Sequence, residues 1–135
     1  MPQIVIEYSS NLRGKLDIEC FVEEVHNSVL RTEVFPLGGT ITRAVEHTCY
    51  RIADGDPENA FVRITMRIRP GRSMEIKRGA GEKVFAAICN YLAPISDSAP
   101  LGISFEVQEN DPDLTFGKNN LHDYMKVRGR LPSKV

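Results

Sequence analysis

The sequence has few features that indicate metal, nucleic-acid or membrane binding. Its three cysteines form no CxxC pair and its three histidines show neither HxxxH nor Cys/His spacing, so a disulfide framework and a metal site are both poorly supported. With 17 basic and 18 acidic residues, the net charge is -1, which gives no reason to expect a nucleic acid or an anionic membrane as partner. The longest apolar run is only a few residues, too short to span a membrane.

The beginning of the chain also lacks a basic segment followed by an apolar one, so no signal peptide is visible. Thiols without an evident disulfide pattern suit a reducing compartment, and we therefore expect a cytoplasmic protein. The chain has 135 residues, of which 41% are apolar and 26% charged. This composition is typical of a globular protein and predicts one domain over residues 1–135.

The first half of the chain predicts a strand, a helix and a second strand. Apolar and other residues alternate over 4–8, which indicates a strand. Asp17 is a plausible N-cap for a helix whose apolar residues follow at helical spacing and which should end near Arg31. Residues 40–52 are rich in Thr, Val and Ile and indicate a strand with irregular alternation. Together these elements predict a βαβ unit at about 2–52.

The second half repeats the same order. Clear alternation over 62–68 indicates a half-buried strand, and Ser73 is a good N-cap for a helix that should stop before Pro94. The cleanest strand pattern of the chain follows at 101–107. These elements predict a second βαβ unit at about 60–108, with parallel strands inside each unit.

Two such units predict an α/β fold, a two-layer sandwich of a four-stranded sheet with both helices on one face. The opposite face of the sheet would then stay uncovered in a monomer, so we expect a homo-oligomer that buries it. Residues 117–135 form a C-terminal tail, whose basic end at 126–135 should be solvated and partly disordered.

Specific segments add a family resemblance to this pattern. Pro2 stands at the head of the first strand, where only Met1 precedes it, and Gly71-Arg72-Ser73 precedes the second helix. In these features the chain resembles the tautomerase superfamily, and over nearly its whole length it is similar to the 5-carboxymethyl-2-hydroxymuconate isomerase family. The other segments that carry the likeness are Ile4-Val5-Ile6-Glu7, Phe35-Pro36-Leu37 with Gly39, Ala53-Asp54-Gly55, Ala60-Phe61-Val62, Ser104-Phe105-Glu106 and Asn119-Asn120-Leu121-His122.

The resemblance implies a homotrimer whose sheets enclose a central barrel. It implies an isomerase that uses no cofactor or metal and ketonises 5-carboxymethyl-2-hydroxymuconate or a related 2-hydroxy-dienoate, a small carboxylate from the breakdown of aromatic acids such as homoprotocatechuate. Met1 would be removed, and the freed amine of Pro2 would move a proton from the 2-hydroxyl to C-5 of the substrate.

A proline amine must be neutral near pH 7 to act as a general base. An apolar site and a nearby cation both lower its pKa, because each disfavours the charged form. Arg72 could supply that cation, and its planar guanidinium could also bind a substrate carboxylate. Each residue has a simpler interpretation: Pro2 as an exposed terminus and Arg72 as a solvated side chain near a turn.

Arg43 is a further candidate for substrate binding. The family carries an arginine two residues before this position, where Ile41 stands in this sequence. If the absent arginine normally holds a substrate carboxylate, then Arg43 must take its place, another group must help to bind the carboxylate, or the substrate differs. Arg43 could equally form a salt bridge or be solvated. His47 and His122 could orient a substrate, although such histidines are more often structural, and we expect the cysteines to be inert.

Two alternatives to this isomerase remain open. If Met1 is retained, the nitrogen of Pro2 is an amide without a basic lone pair, and the protein would be a non-enzymatic trimer or binding module. If Ile41 marks a changed substrate, the same scaffold could tautomerise an arylpyruvate or hydrate an unsaturated acid.

Overall fold

The computed structural model describes residues 1–130, which fold into a four-stranded sheet and three helices. The elements follow the order of the two predicted halves, and a third helix comes after them. The strands are β1 (Gln3–Ser9), β2 (Ile41–His47), β3 (Ala60–Ile68) and β4 (Leu101–Glu109), and the helices are α1 (Ile18–Arg31), α2 (Met74–Ser96) and α3 (Leu121–Val127).

The sheet has the order β2-β1-β3-β4, so the N-terminal strand is an interior strand. β1 is parallel to β2, and β3 is parallel to β4. α1 and α2 form the two crossovers and contact each other. β1 and β3 are antiparallel, which joins the halves into a mixed sheet. The predicted pair of βαβ units in a two-layer α/β fold is confirmed.

One face of the sheet is buried against α1 and α2. In β3, alternate residues from Val62 to Ile68 are at most 1% exposed, and Ile4 and Ile6 of β1 are fully buried. The helices place buried residues three and four positions apart against this face, as their apolar spacing predicts. These helix residues are Phe21, Val25 and Val29 in α1 and Ala80, Val84, Ile88 and Leu92 in α2.

Both long helices begin at the predicted capping residues. The Asp17 carboxylate accepts a hydrogen bond from the backbone N–H of Cys20 at 3.2 Å, and the Ser73 hydroxyl accepts one from that of Ile76 at 3.2 Å. Each cap satisfies a donor that the first helical turn leaves unpaired. α1 ends at Arg31, as predicted.

The second strand is shorter than predicted, because it ends at His47 and not at Ile52. Ser9, the last residue of β1, pairs with His47, so β2 has no partner beyond this point. The chain then forms a loop that is held by Asn59, whose side-chain amide donates to the Ile52 carbonyl at 3.1 Å and to the Asp54 carboxylate at 2.8 Å.

The prediction that α2 stops before Pro94 is wrong, since the helix continues through it to Ser96. A proline has no N–H to donate to the carbonyl four residues earlier, which here belongs to Asn90. Asn90 lies at the exposed surface, where water can satisfy that carbonyl. The helical hydrogen bonds continue after Pro94, because the N–H of Asp97 donates to the Ala93 carbonyl at 2.9 Å. Pro94 therefore removes one hydrogen bond without ending the helix.

The C-terminal segment, predicted only as a tail at 117–135, contains α3. This helix contacts the Leu37–Gly39 turn and has no buried residue. Residues 126–130 are exposed, in agreement with a solvated end, although they include the last helical residues. The rest of the predicted tail, 131–135, lies outside the described residues.

The sheet face opposite α1 and α2 carries polar and charged side chains. His47 lies 3.0 Å from Glu7 and Arg63 lies 3.3 Å from Glu106, measured between nitrogen and oxygen atoms. Val45 of β2 is 43% exposed on the same face. Within the described residues, the single chain thus leaves this face open, as the sequence predicts.

The burial of α2 can be tested with one substitution at two positions. Ile88→Ala should lower the free energy of unfolding by about 2–5 kcal/mol, because the isoleucine is 1% exposed and its loss leaves a cavity. Ile76→Ala, in the same helix but 49% exposed, should change it by about 0.5 kcal/mol or less. Denaturant unfolding measures both, and equal losses would contradict the packing described.

Candidate active site

The N-terminus, the end of β3 and the end of β4 meet at one end of the sheet. Gln3 pairs with Ile41 on one side and with Arg67 on the other. The backbone N–H of Ile41 donates to the Pro2 carbonyl at 3.0 Å. Beyond β4, the N–H of Asn110 donates to the Ile68 carbonyl at 2.8 Å. The sheet therefore determines where Pro2 lies relative to both neighbouring strands.

A pocket of about 990 Å³ opens at this end of the sheet. Its basic residues, Arg67 and Arg69, are both exposed, and its acidic residue is Asp111. Among residues 1–130, neither arginine forms a salt bridge, so both guanidinium groups are available to an anion. The other lining residues are Met1, Gln3, Asn110, Leu114, Thr115, Phe116, Gly117 and Asn119.

Met1 lines this pocket, whereas Pro2 is buried. The side-chain amide of Asn119 lies 3.0 Å from the Met1 sulfur and donates to the Gly38 carbonyl at 2.9 Å. A Cβ on Gly39 would lie 3.2 Å from Met1 Cγ, and one on Gly117 would lie 3.3 Å from Met1 Cε. Met1 therefore fills a slot between the Leu37–Gly39 turn and residues 117–119, and its removal would leave a space of that size beside Pro2.

The surroundings of the terminal amine favour its neutral form. Burial, followed by the guanidinium charges of Arg69 and Arg72, lowers the pKa of the Met1 amino group from its ordinary value of 8.0. Both arginines thus act on the Met1 amine, and Arg69 contributes more than Arg72.

Arg72 lies between β3 and α2, as predicted, but it is not among the residues that line the pocket. Its guanidinium carbon is 4.7 Å from the centre of the Phe35 ring. Its Nη atoms are 3.4 Å from the carbonyl oxygens of Arg69 and Val34. Packing on the ring and these long hydrogen bonds orient the side chain without neutralising its charge.

Arg43 lies on the open face of the sheet, two residues along β2 from Ile41. Its Nη1 donates to the side-chain oxygen of Gln3 at 2.8 Å. Because Gln3 also lines the pocket, Arg43 is connected to the edge of the pocket but is not part of its lining.

The two candidate histidines lie in different places. His47 pairs with Glu7 and contacts the Phe61 ring, six residues along β2 from Ile41 and roughly 20 Å away at the rise of a strand. His122 is closer to the N-terminus. A Cβ on Gly38 would lie 3.3 Å from the Cβ of His122, and the next residue, Gly39, lies beside Met1. The structure therefore does not bring His47 to this pocket.

Sequence reasoning missed several residues of the pocket, among them Arg69, Asn110 and Asn119. Arg69 carried a signal that could have been used: it follows Arg67 at strand spacing, so both should project to the same side. Asn119 stands in one of the segments that carry the family likeness, which marked its region but not its contact with Met1, whereas Asn110 carried no signal. The side-chain oxygen of Asn110 is buried and, among residues 1–130, accepts no hydrogen bond.

Within residues 1–130, no three His, Cys, Asp or Glu side chains are grouped so that they could hold a metal ion. No helix of this part of the chain has the length and apolar character needed to cross a membrane.

Comparison with known proteins gives consistent matches. A model of the 5-carboxymethyl-2-hydroxymuconate isomerase family matches residues 2–125. A 5-carboxymethyl-2-hydroxymuconate Delta-isomerase of Escherichia coli is 35% identical over 126 residues, which cover 93% of this chain and 100% of that protein. A 5-carboxymethyl-2-hydroxymuconate isomerase from Deinococcus radiodurans R1 is similar in structure, with a TM-score of 0.84 and 32% identity over 91% of this chain and 92% of that chain.

A more distant structure shares the fold alone. It is a fused 4-OT protein described as a wild-type symmetric trimer, with a TM-score of 0.59 and 16% identity over 86% of this chain and 93% of that chain. The expected resemblance to the 5-carboxymethyl-2-hydroxymuconate isomerase family is confirmed by the family model and by the two relatives that carry this name.

The effect of the arginines on the terminal amine can be measured directly in protein that retains Met1, verified by intact mass. Arg69→Gln should raise the pKa of the Met1 amino group toward its ordinary value, and Arg72→Gln should raise it by less, because Arg69 contributes more. The pH dependence of amine acylation reports this pKa. Arg63→Gln is the control, since Arg63 pairs with Glu106. An unchanged pKa in Arg69→Gln would contradict the assigned electrostatics.

Proposed function

This chain belongs to the 5-carboxymethyl-2-hydroxymuconate isomerase family, and we propose that the amine of Pro2, freed by removal of Met1, is the general base of its isomerase reaction. The observation that carries this proposal is that Pro2 is buried at the start of an interior strand, beside the arginine-lined pocket and inside the range that the family model matches. The substrate we propose is 5-carboxymethyl-2-hydroxymuconate or a related 2-hydroxy-dienoate.

The reaction moves one proton and shifts two double bonds. The neutral Pro2 amine accepts the proton of the 2-hydroxyl, so the O–H bond breaks and a dienolate forms. The double bonds C2=C3 and C4=C5 become C2=O and C3=C4 as the protonated amine returns the proton to C5. No oxidant or reductant is needed, because the product is an isomer of the substrate.

The surroundings of Pro2 support this role. Burial and the charges of Arg69 and Arg72 lower the pKa of the amine on Met1. The amine of Pro2 would lie one residue further into the protein, and the same effects should act on it. In this proposal Arg72 also stabilises the negative charge of the dienolate or binds a carboxylate, since an oriented guanidinium needs little rearrangement when charge develops.

Arg43 contributes to substrate binding in this proposal through the edge of the pocket. It would hold Gln3 in place or exchange that partner for a substrate carboxylate. Ile41, which is 37% exposed beside Gln3, offers a substrate only apolar contact. The second carboxylate of a substrate therefore needs another cation.

The alternative of a blocked proline is supported by how closely Met1 fits its slot, with contacts to Gly39, Gly117 and Asn119. In that form the Pro2 nitrogen is an amide and cannot accept a proton. Intact mass of the protein from its own cells decides between the two forms.

We also propose that the protein is a homotrimer. The open face of the sheet carries exposed Val45 and Ile41, and Phe116 at the rim of the pocket is 90% exposed. Such side chains are commonly buried between subunits. A trimeric assembly is described for the fused 4-OT protein of the same fold.

The proline mechanism predicts that Pro2→Ala, with Met1 removed, lowers kcat/KM roughly 10²- to 10⁴-fold, the usual contribution of general acid–base catalysis. Ketonisation of freshly generated 2-hydroxymuconate is followed by ultraviolet absorbance, on protein checked by mass and by circular dichroism. Wild-type protein that retains Met1 is the matched control and should be equally inactive. Full activity in Pro2→Ala would exclude Pro2 as the base.

The homotrimer predicts a native mass three times the 15.1 kDa of the chain, measured by native mass spectrometry. Val45→Asp should weaken the assembly, because it places a charge on the sheet face that the subunits would bury. Val127→Asp, at a position that is 85% exposed in α3, is the control and should leave the mass unchanged. A monomeric wild-type protein would refute the proposal.

A further inference from the structure

The pocket at the N-terminus lacks a cation on its β2 side. Ile41 is the β2 residue that pairs with Gln3 beside Pro2, and its side chain cannot bind a carboxylate. Arg43, the nearest arginine on β2, is hydrogen-bonded to Gln3 outside the pocket lining. A substrate with two carboxylates would therefore find on this side only the guanidinium of Arg43, which lies outside the pocket lining and would first have to leave Gln3.

Arg69 provides a guanidinium on the opposite side of Gln3. Arg67 pairs with Gln3 across β1 and β3, and Arg69 follows two residues later and lines the same pocket. In the described part of the chain, the Arg69 side chain makes no hydrogen bond or salt bridge. An exposed, unpaired guanidinium can bind an anion without first losing another partner.

The acidic groups near Arg69 have other partners. The carboxylate of Asp111, in the pocket lining, accepts a hydrogen bond from the backbone N–H of Asp113 at 2.9 Å. Glu109, at the end of β4, accepts one from Lys77 at 2.6 Å. Among residues 1–130, neither carboxylate forms a salt bridge with Arg69, although Asp111 keeps its negative charge in the pocket lining.

The charge of Arg69 also reaches the place where the base would act. It contributes, together with Arg72, to the lowered pKa of the Met1 amine. The two cations approach from different layers, since Arg72 lies over Phe35 on the helix side whereas Arg69 lines the pocket. Of these two cations, only Arg69 lines the pocket, so it is the one that a substrate in the pocket would contact directly.

We propose that Arg69 binds a substrate carboxylate and supplies from β3 the contact that an arginine at position 41 would supply from β2. This inference rests on the proposed function, because it concerns the substrate of that reaction. It makes Arg69 the residue that allows a polycarboxylate substrate despite Ile41, and it needs no change in the chemistry at Pro2.

The test is a double-mutant cycle of Arg69→Gln and Ile41→Arg, with 2-hydroxymuconate as substrate. Activity is measured above the pKa of the Pro2 amine, so that removing a cation does not change its protonation. Arg69→Gln should lower kcat/KM roughly 10- to 150-fold, as expected for loss of a hydrogen bond to a charged group. In the Ile41→Arg background, Arg69→Gln should lower kcat/KM only a few-fold, because the arginine introduced at position 41 can bind the carboxylate in place of Arg69.

Two outcomes would overturn the proposal. One is an Arg69→Gln protein whose kcat/KM stays within about twofold of wild type. The other is an Arg69→Gln change that lowers kcat/KM by the same factor in the wild-type and the Ile41→Arg proteins. Arg63→Gln serves as control and should keep full activity, because Arg63 lies on the same strand but pairs with Glu106. Native mass and circular dichroism confirm that each variant folds and assembles as wild type does.

Binding of cis,cis-muconate separates this inference from the proposed function. This compound has two carboxylates but no enol hydroxyl, so its binding does not depend on turnover. Calorimetry should show weaker binding to Arg69→Gln than to wild type and Arg63→Gln, and recovery in the double variant. An inactive wild type that shows this pattern would contradict the proposed reaction and support the role of Arg69, whereas equal binding by all variants would refute that role.

Discussion

The position of the N-terminus depends on the hydrogen bonding of β1 on both sides. Chain termini are often poorly ordered, but here the first strand lies between β2 and β3, and its side chains Ile4 and Ile6 are fully buried. The Pro2 carbonyl extends this pairing by accepting the Ile41 N–H. A group attached to such a strand cannot move without breaking the centre of the sheet. This hydrogen bond and the burial of Pro2 therefore hold the residue in place at the start of β1.

The positive character of the site comes from one short segment at the end of β3. Strand alternation places Arg67 and Arg69 on the side of the pocket, and the chain then turns at Gly71, whose φ of +124° favours glycine. After this turn Arg72 packs over Phe35 on the helix side. Three cations within six residues thus surround the N-terminus from two layers, and no distant part of the chain has to be recruited.

Much of the fold could be predicted because the buried side of each element repeats at a regular spacing. The patterns of β3 and β4 were clear, since alternate residues of these strands face the helices and the surface. β2 was harder to delimit because it is an edge strand in which Ile41, Ala44 and Val45 are all exposed. The seven residues of α3 make less than two helical turns, so the spacing of Leu121, Tyr124 and Met125 was too short to predict this helix.

The site was only partly predictable, for a related reason. By itself the sequence determined the two βαβ units, the family, and the places of Pro2 and Arg72, because these follow from local spacing and short motifs. Tertiary structure alone decided that Arg69, Asn110 and Asn119 lie beside Met1. These residues are far from the N-terminus along the chain, and their meeting depends on the antiparallel register of β1 with β3 and on the path of the C-terminal segment. Local periodicity records which side of an element is buried, but not which elements lie next to each other.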